Sequence, residues 1–179
     1  MSAARWPMLR GHVLGFLAIV LGDQLTKGLV ARSFELHESR PLVDGLLSLT
    51  YVRNRGAAFG LLAGADLPFQ SHLLAGLSVA ALVAIAAYAW RLSSEERLAR
   101  LSLMLILAGA TGNLICRVRW GYVIDFVDVY WGTHHWPAFN VADSAITVGV
   151  VLLLLDILRT PAAASRDAGQ APSSTGSES

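Results

Sequence analysis

The sequence predicts a mainly α membrane protein: four transmembrane helices, with a small extracytoplasmic β-sheet built from the segments between helices 1 and 2 and between helices 3 and 4. Composition is the first sign. Of the 179 residues 54% are hydrophobic and only 15% charged, with a mean hydropathy of +0.52, whereas a soluble domain carries about a quarter charged residues. The second sign is four long apolar segments, and the third is a strand-like alternation in two of the polar stretches that separate them.

The apolar segments run from about Leu9 to Ala31, Leu73 to Trp90, Leu101 to Cys116 and Val141 to Leu158. The second and fourth have 18 residues each, which as a helix spans about 27 Å, close to the hydrocarbon thickness of a bilayer. Arg5 and Arg10 before the apolar run Val13 to Gly22 have the look of a secretion signal. The run is followed by Asp23-Gln24-Leu25-Thr26-Lys27 in place of a small-x-small cleavage site, so an uncleaved first span is expected.

Between the first two spans, Leu47 to Arg53 alternates and is β-rich, and Asn54-Arg55-Gly56 gives a turn signal. Between the last two, Tyr122 to Tyr130 is aromatic and β-branched at strand spacing, with Val123, Asp125, Val127 and Val129 on one face. Both loops leave the membrane on the same side, so the two strands are expected to pair. The loop Arg91 to Arg100 and both termini lie on the other side. Arginines and lysines divide evenly between the sides; discounting those inside polar motifs, Arg5, Arg10, Arg91, Arg97 and Arg100 place the termini in the cytoplasm. Residues 1–159 are read as one unit, and 160–179, rich in Ala, Ser, Pro and Gly, as a disordered tail.

A net charge of +1 supplies no basic field for nucleic acid, and a lone cysteine, Cys116, builds neither a disulfide framework nor a zinc site. His134-His135 stand outside any HExxH helix, and neither a GxSxG elbow nor a GxxxxGK[ST] loop occurs. What remains is a set of carboxylates in apolar surroundings. An ionised side chain at the bilayer centre costs roughly 3 kcal/mol even on lenient scales, so such residues are functional suspects. Asp125 and Asp143, converging near one membrane face, suggest a shared-proton acid/base pair, the chemistry of an aspartic hydrolase.

Other polar groups accompany them. Asp23 and Lys27 are one helical turn apart; they form either an ion pair that lowers its own burial cost or a structural or substrate-orienting pair beside an active site. Asn54, with Gly56, belongs to a stretch that reads as a loop turn or as a peptide-binding edge. Asn113 and Arg117 share one helical face; an arginine at a helix end ordinarily snorkels to the interface, while an amide in a membrane helix needs a partner. Cys116 reads as a small apolar filler. Asn140 suits a helix N-cap, and Asp143 suits either a helix-dipole partner or the catalytic pair.

Taken together, Asp23-Gln-Leu-Thr-Lys27, Asn54-Arg-Gly-Ala-Ala-Phe-Gly60, Gly112-Asn113 with Arg117, Tyr122-Val-Ile-Asp125-Phe126 and Phe139-Asn140-Val-Ala-Asp143-Ser144 resemble the bacterial lipoprotein signal peptidases (signal peptidase II), in that family's order and spacing. The resemblance implies catalysis by Asp125 and Asp143 without metal or other cofactor. It implies supporting or substrate-binding parts for Asp23, Lys27, Asn54, Gly56, Asn113, Arg117 and Asn140. The implied substrate is a diacylglyceryl-modified prolipoprotein, cut N-terminal to its lipidated cysteine. The implied setting is a monomer in the lipid of the bacterial inner membrane, its site near the extracytoplasmic face. Where the family commonly has Gly-Asn-x-x-Asp-Arg this chain has Cys116 at the aspartate, a position read as supporting because both members of the dyad remain. The rival readings are a small proton-coupled carrier and a non-catalytic lipoprotein-binding homologue.

Overall fold

A computed structural model describes residues 5–56 and 70–159; the expected tail and the segment Ala57 to Gly60 fall outside them. The chain runs α1 (Arg5–Ser33), β1 (Ser39–Val43), β2 (Leu47–Asn54), α2 (Gln70–Arg91), α3 (Arg97–Trp120), β3 (Val123–Trp131), β4 (His134–His135) and α4 (Val141–Arg159). All four helices are long and apolar enough to cross a membrane. Each contains the apolar segment read from the sequence and extends past it at one or both ends.

Packing explains how an apolar helix acquires a polar interior face. Along α1, Leu14, Leu21, Leu25 and Leu29 are exposed at i, i+7, i+11 and i+15, whereas Asp23, Lys27 and Val30 are buried on the opposite side. The lipid-facing stripe is the hydrophobic one, and the charges point into the bundle. α3 and α4 approach most closely through small residues. A Cβ added to Gly149 would meet the Ser102 carbonyl oxygen at 2.7 Å.

The expected pairing of two strands is found within a larger sheet of order β1-β2-β3-β4. β2 and β3 are antiparallel, with Val52 opposite Asp125 and Asn54 opposite Val123. Val30, Tyr51, Ile124 and Phe126 form the core where α1 meets this sheet. Burial along β3 does not alternate as the sequence pattern implied: Val123 through Phe126 are all buried, with Ile124 and Phe126 packed beside Val30 of α1 and Asp125 against Asn54 and Asn140. Phe139 forms an isolated bridge to Val127, its carbonyl accepting the N–H groups of Phe126 (3.0 Å) and Val127 (2.8 Å). That bridge brings the start of α4 to the middle of β3.

Candidate active site

Helix α4 begins with a reciprocal cap. The Asn140 side-chain oxygen accepts the Asp143 N–H at 2.9 Å, and Asp143 Oδ2 accepts the Asn140 N–H at 3.2 Å. This is the capping-box arrangement with Asn and Asp in its two places. Asn140 is therefore the N-cap expected of it. A second cap comes from α1: Asp23 Oδ1 accepts the Ala142 N–H at 2.9 Å. Two of the otherwise orphaned first-turn donors of α4 are thus held by side chains 119 and three residues away in sequence.

With its oxygen committed to the Asp143 N–H, Asn140 turns its amide nitrogen to Asp125 Oδ1 at 2.6 Å, with the Ile124 carbonyl and Asn113 Oδ1 each at 3.3 Å. Asn140 is fully buried and Asp125 nearly so. One residue thereby touches both acids. Asn54 approaches from β2: its side-chain oxygen accepts the Gly56 N–H at 2.8 Å and its amide nitrogen donates to Asp125 Oδ2 at 3.0 Å. The turn read at Asn54 to Gly56 exists, and Gly56, at φ 126°, holds a conformation suited to glycine.

On α3, Asn113 donates its amide N–H to Asp143 Oδ1 at 2.8 Å and accepts from Lys27 Nζ at 2.8 Å. The partner that a membrane-embedded amide requires is therefore the α1 ion pair behind it, in which Lys27 Nζ lies 2.8 Å from Asp23 Oδ2 with both residues fully buried. Arg117, one turn further along α3, is half-buried. Its charge is felt by Asp143 and Asp125, and its Nε is buried with no protein acceptor among the described residues. It does not simply snorkel away.

The nine residues read as site candidates converge on the end of the bundle that carries the sheet. Sequence reasoning missed Gln24, whose amide nitrogen donates to Asp23 Oδ2 and the Gly112 carbonyl, both at 3.0 Å, and to Cys116 Sγ at 3.6 Å. The signal was present: an amide beside an aspartate in an apolar helix has to be satisfied by something. Cys116 is completely buried, as a filler would be, and also accepts a weak hydrogen bond. Gly112 was missed as a site position too. A Cβ there would stand 2.6 Å from Asp23 Oδ2 and 3.3 Å from the Ala142 Cβ. Gly112→Ala should destabilise the fold by about 1–3 kcal/mol through overpacking, read as a lower midpoint of thermal unfolding in detergent; an unchanged midpoint would contradict the contact.

Burial holds the Asp125 carboxyl well above its ordinary range, at about 6; the Asp143 charge adds to the rise, and the Asn54 and Asn140 hydrogen bonds oppose it. Among the described residues, no group of three or more His, Cys, Asp or Glu side chains is arranged to hold a metal ion.

Residues 15–159 match the family described as Signal peptidase (SPase) II. The "Lipoprotein signal peptidase" of Geobacter metallireducens is 54% identical over 145 residues, 81% of this chain and 88% of that protein. The protein of the same name in Syntrophus aciditrophicus is 48% identical over 79% of this chain and 88% of its own length. A bacterial membrane enzyme solved by the in meso method at 1.9 Å superimposes with a TM-score of 0.73 and 31% identity, covering 83% of this chain and 93% of that one. A second, at 2.3 Å, gives a TM-score of 0.74 at 31% identity over 83% and 87%. Fold, motif order and extent of identity agree, and the chain belongs to the signal peptidase II family.

Proposed function

We propose that the chain is a multi-pass aspartic endopeptidase that removes the signal peptide from diacylglyceryl-modified prolipoproteins, cutting N-terminal to the lipidated cysteine, with Asp125 and Asp143 as its catalytic carboxyls. The observation that carries this reading is Asn140, which bonds Asp125 Oδ1 through its side chain while its backbone N–H and side-chain oxygen bond Asp143. Family membership supports the peptidase activity, and the names of the relatives support the lipoprotein substrate.

The chemistry follows from the environments of the two acids. Asp125 is the more deeply buried and burial lifts its carboxyl to about 6, so of the two it is the one suited to act as the proton donor. Asp143, half-buried and accepting N–H bonds on both oxygens, is the ionised member. Asp143 takes a proton from a water molecule, whose oxygen attacks the scissile carbonyl carbon. Asp125 gives its proton to the carbonyl oxygen, forming a gem-diol intermediate. Collapse returns a proton from that intermediate to Asp125, while the leaving nitrogen takes the proton held by Asp143. Each carboxyl ends as it began. Arg117 Nε, buried and without an acceptor among the described residues, is a donor suited to a peptide carbonyl. No step calls for a cofactor.

Membrane residence matches the substrate. Acyl chains hold the modified cysteine at the bilayer surface, and the carboxyls sit where α3 and α4 meet the sheet. The reading places the protein as a monomer in the bacterial inner membrane, termini in the cytoplasm and sheet outside. Purified protein should cleave a diacylated precursor, seen as a gel shift, and leave the unlipidated precursor intact. Equal cleavage of both would remove the lipid from the specificity, and cleavage of neither would remove the activity.

A further inference from the structure

The polar groups around the two acids form a directed chain that starts at Lys27, whose ammonium bonds Asp23 and Asn113. We propose that Lys27 is a positioning residue: its ammonium, which can only donate, fixes the orientation of the Asn113 amide and through it holds Asp143 as a hydrogen-bond acceptor. This rests on the catalytic assignment of Asp125 and Asp143.

The argument is one of donors and acceptors. An ammonium has three N–H groups and no lone pair. Lys27 Nζ lies 2.8 Å from Asn113 Oδ1, so the atom of that amide facing it must be oxygen. The Asn113 nitrogen is then forced to the other side, where it meets Asp143 Oδ1 at 2.8 Å. Asn113 Oδ1 also receives the Asn140 amide at 3.3 Å. Asn140 is fixed independently, its oxygen taken by the Asp143 N–H and its nitrogen facing the Ile124 carbonyl. Asn54 is fixed by the Gly56 N–H. Three amides therefore present N–H groups to the two carboxyls, and Asn113 takes its direction from a charge.

The Lys27 position is built for this and not for solvent. The residue is fully buried, and Asp23 neutralises it at 2.8 Å. Asp23 is itself saturated, with Ala142 on one oxygen and Lys27 and Gln24 on the other. Without the ammonium, the Asn113 amide is held against a half-turn only by the longer Asn140 contact at 3.3 Å, and it can rotate. It would then set its oxygen against Asp143 Oδ1, a contact that only a protonated carboxyl accommodates. The charged groups facing this part of the site are Asp23 and Lys27 from α1, Arg117 from α3, Asp125 from β3 and Asp143 itself on α4.

The test uses full-length enzyme in lipid with a diacylated precursor, and two variants that remove the ammonium, one of them together with its counter-charge. Asp23→Asn/Lys27→Met removes both charges together and keeps an oxygen for the Ala142 N–H. Lys27→Gln leaves Asp23 its bonds from Ala142 and Gln24 and supplies an amide able to face Asn113 either way. Both variants should keep KM within about twofold and lose about tenfold or more in kcat, as misplacement of a reacting group does. In both, the acid limb of the rate profile should move to higher pH, as the loss of an N–H donor to a carboxylate requires. A wild-type kcat and profile in a folded variant would overturn the proposal. So would a loss of activity with an unmoved profile, or failure of both variants to fold, since each makes Lys27 merely structural. Asp143→Asn, measured alongside, separates the two readings. If it still cleaves, the carboxyl assignment fails; if it is inactive and the Lys27 variants are normal, only the positioning role fails.

Discussion

Asp125→Asn and Asp143→Asn should each lower turnover of a diacylated precursor by about 10²–10⁴-fold, the span associated with losing a positioned acid or base. The two should differ in stability. Asp125 is nearly fully buried and its carboxyl is raised to about 6 by that burial. A neutral amide removes the desolvation cost, but it sets one N–H against the amide donors of Asn54 or Asn140. The opposing terms should leave thermal stability within about 1 kcal/mol of the parent protein. Asp143→Asn leaves one oxygen to serve the Asn113 amide and the Asn140 N–H, which Asp143 now bonds with separate oxygens. That variant should melt lower, by about 0.5–2 kcal/mol for a weakened cap. Cleavage by gel shift and thermal unfolding in detergent read both effects. Full turnover in either variant would remove that residue from the reaction.

Asp23→Ala should be the most damaging single substitution for the fold, at about 3–5 kcal/mol, because it leaves a buried cation without its counter-charge. Lys27, fully buried, would retain the Asn113 oxygen and lose its anion. The Ala142 N–H at the head of α4 would lose its acceptor as well. The expected result is little folded protein in the membrane, and a melting midpoint well below the parent's for whatever accumulates. If Asp23→Ala melted with the parent protein, the buried pair would not be holding α1 to α4.

The fold was legible because its signals are local. Apolar runs long enough to span a bilayer, and the alternation through Leu47 to Arg53 and Tyr122 to Tyr130, require no partner to be recognised. β1 and β4 left no such signal. β1 is exposed along its whole length and carries Pro41, and β4 is two residues long; both are edge segments whose pairing, and not their composition, makes them strands. The site was legible for a different reason. Charged and amide side chains in apolar helices are costly unless they are satisfied, so Asp23, Lys27 and Asn113 stood out individually.

Which of those groups touch was not readable. Asn140 meets Asp125 because Phe139 bridges to Val127, a long-range pairing with no marker in either segment. Asp143 read as a helix-dipole residue or a catalytic one, and it is the second half of a capping box with Asn140. That helix-starting role and the proposed catalytic one need the same carboxylate in the same place, so the fold itself aims the acid. Gln24 and Gly112 went unremarked as site positions because their importance lies in what stands opposite them: Asp23, Cys116 and the neighbouring backbone.

Coupling between the two carboxyls is the claim on which the account stands, and infrared difference titration of wild-type, Asp125→Asn and Asp143→Asn protein reads it directly. The account predicts one carboxyl that protonates with a midpoint near 6, absent in Asp125→Asn. In Asp143→Asn the same signal should move to lower pH, because the neighbouring negative charge that opposes its ionisation is gone. A midpoint in Asp143→Asn equal to that of the wild type would mean that the two acids do not sense one another, and the shared-proton mechanism would be wrong.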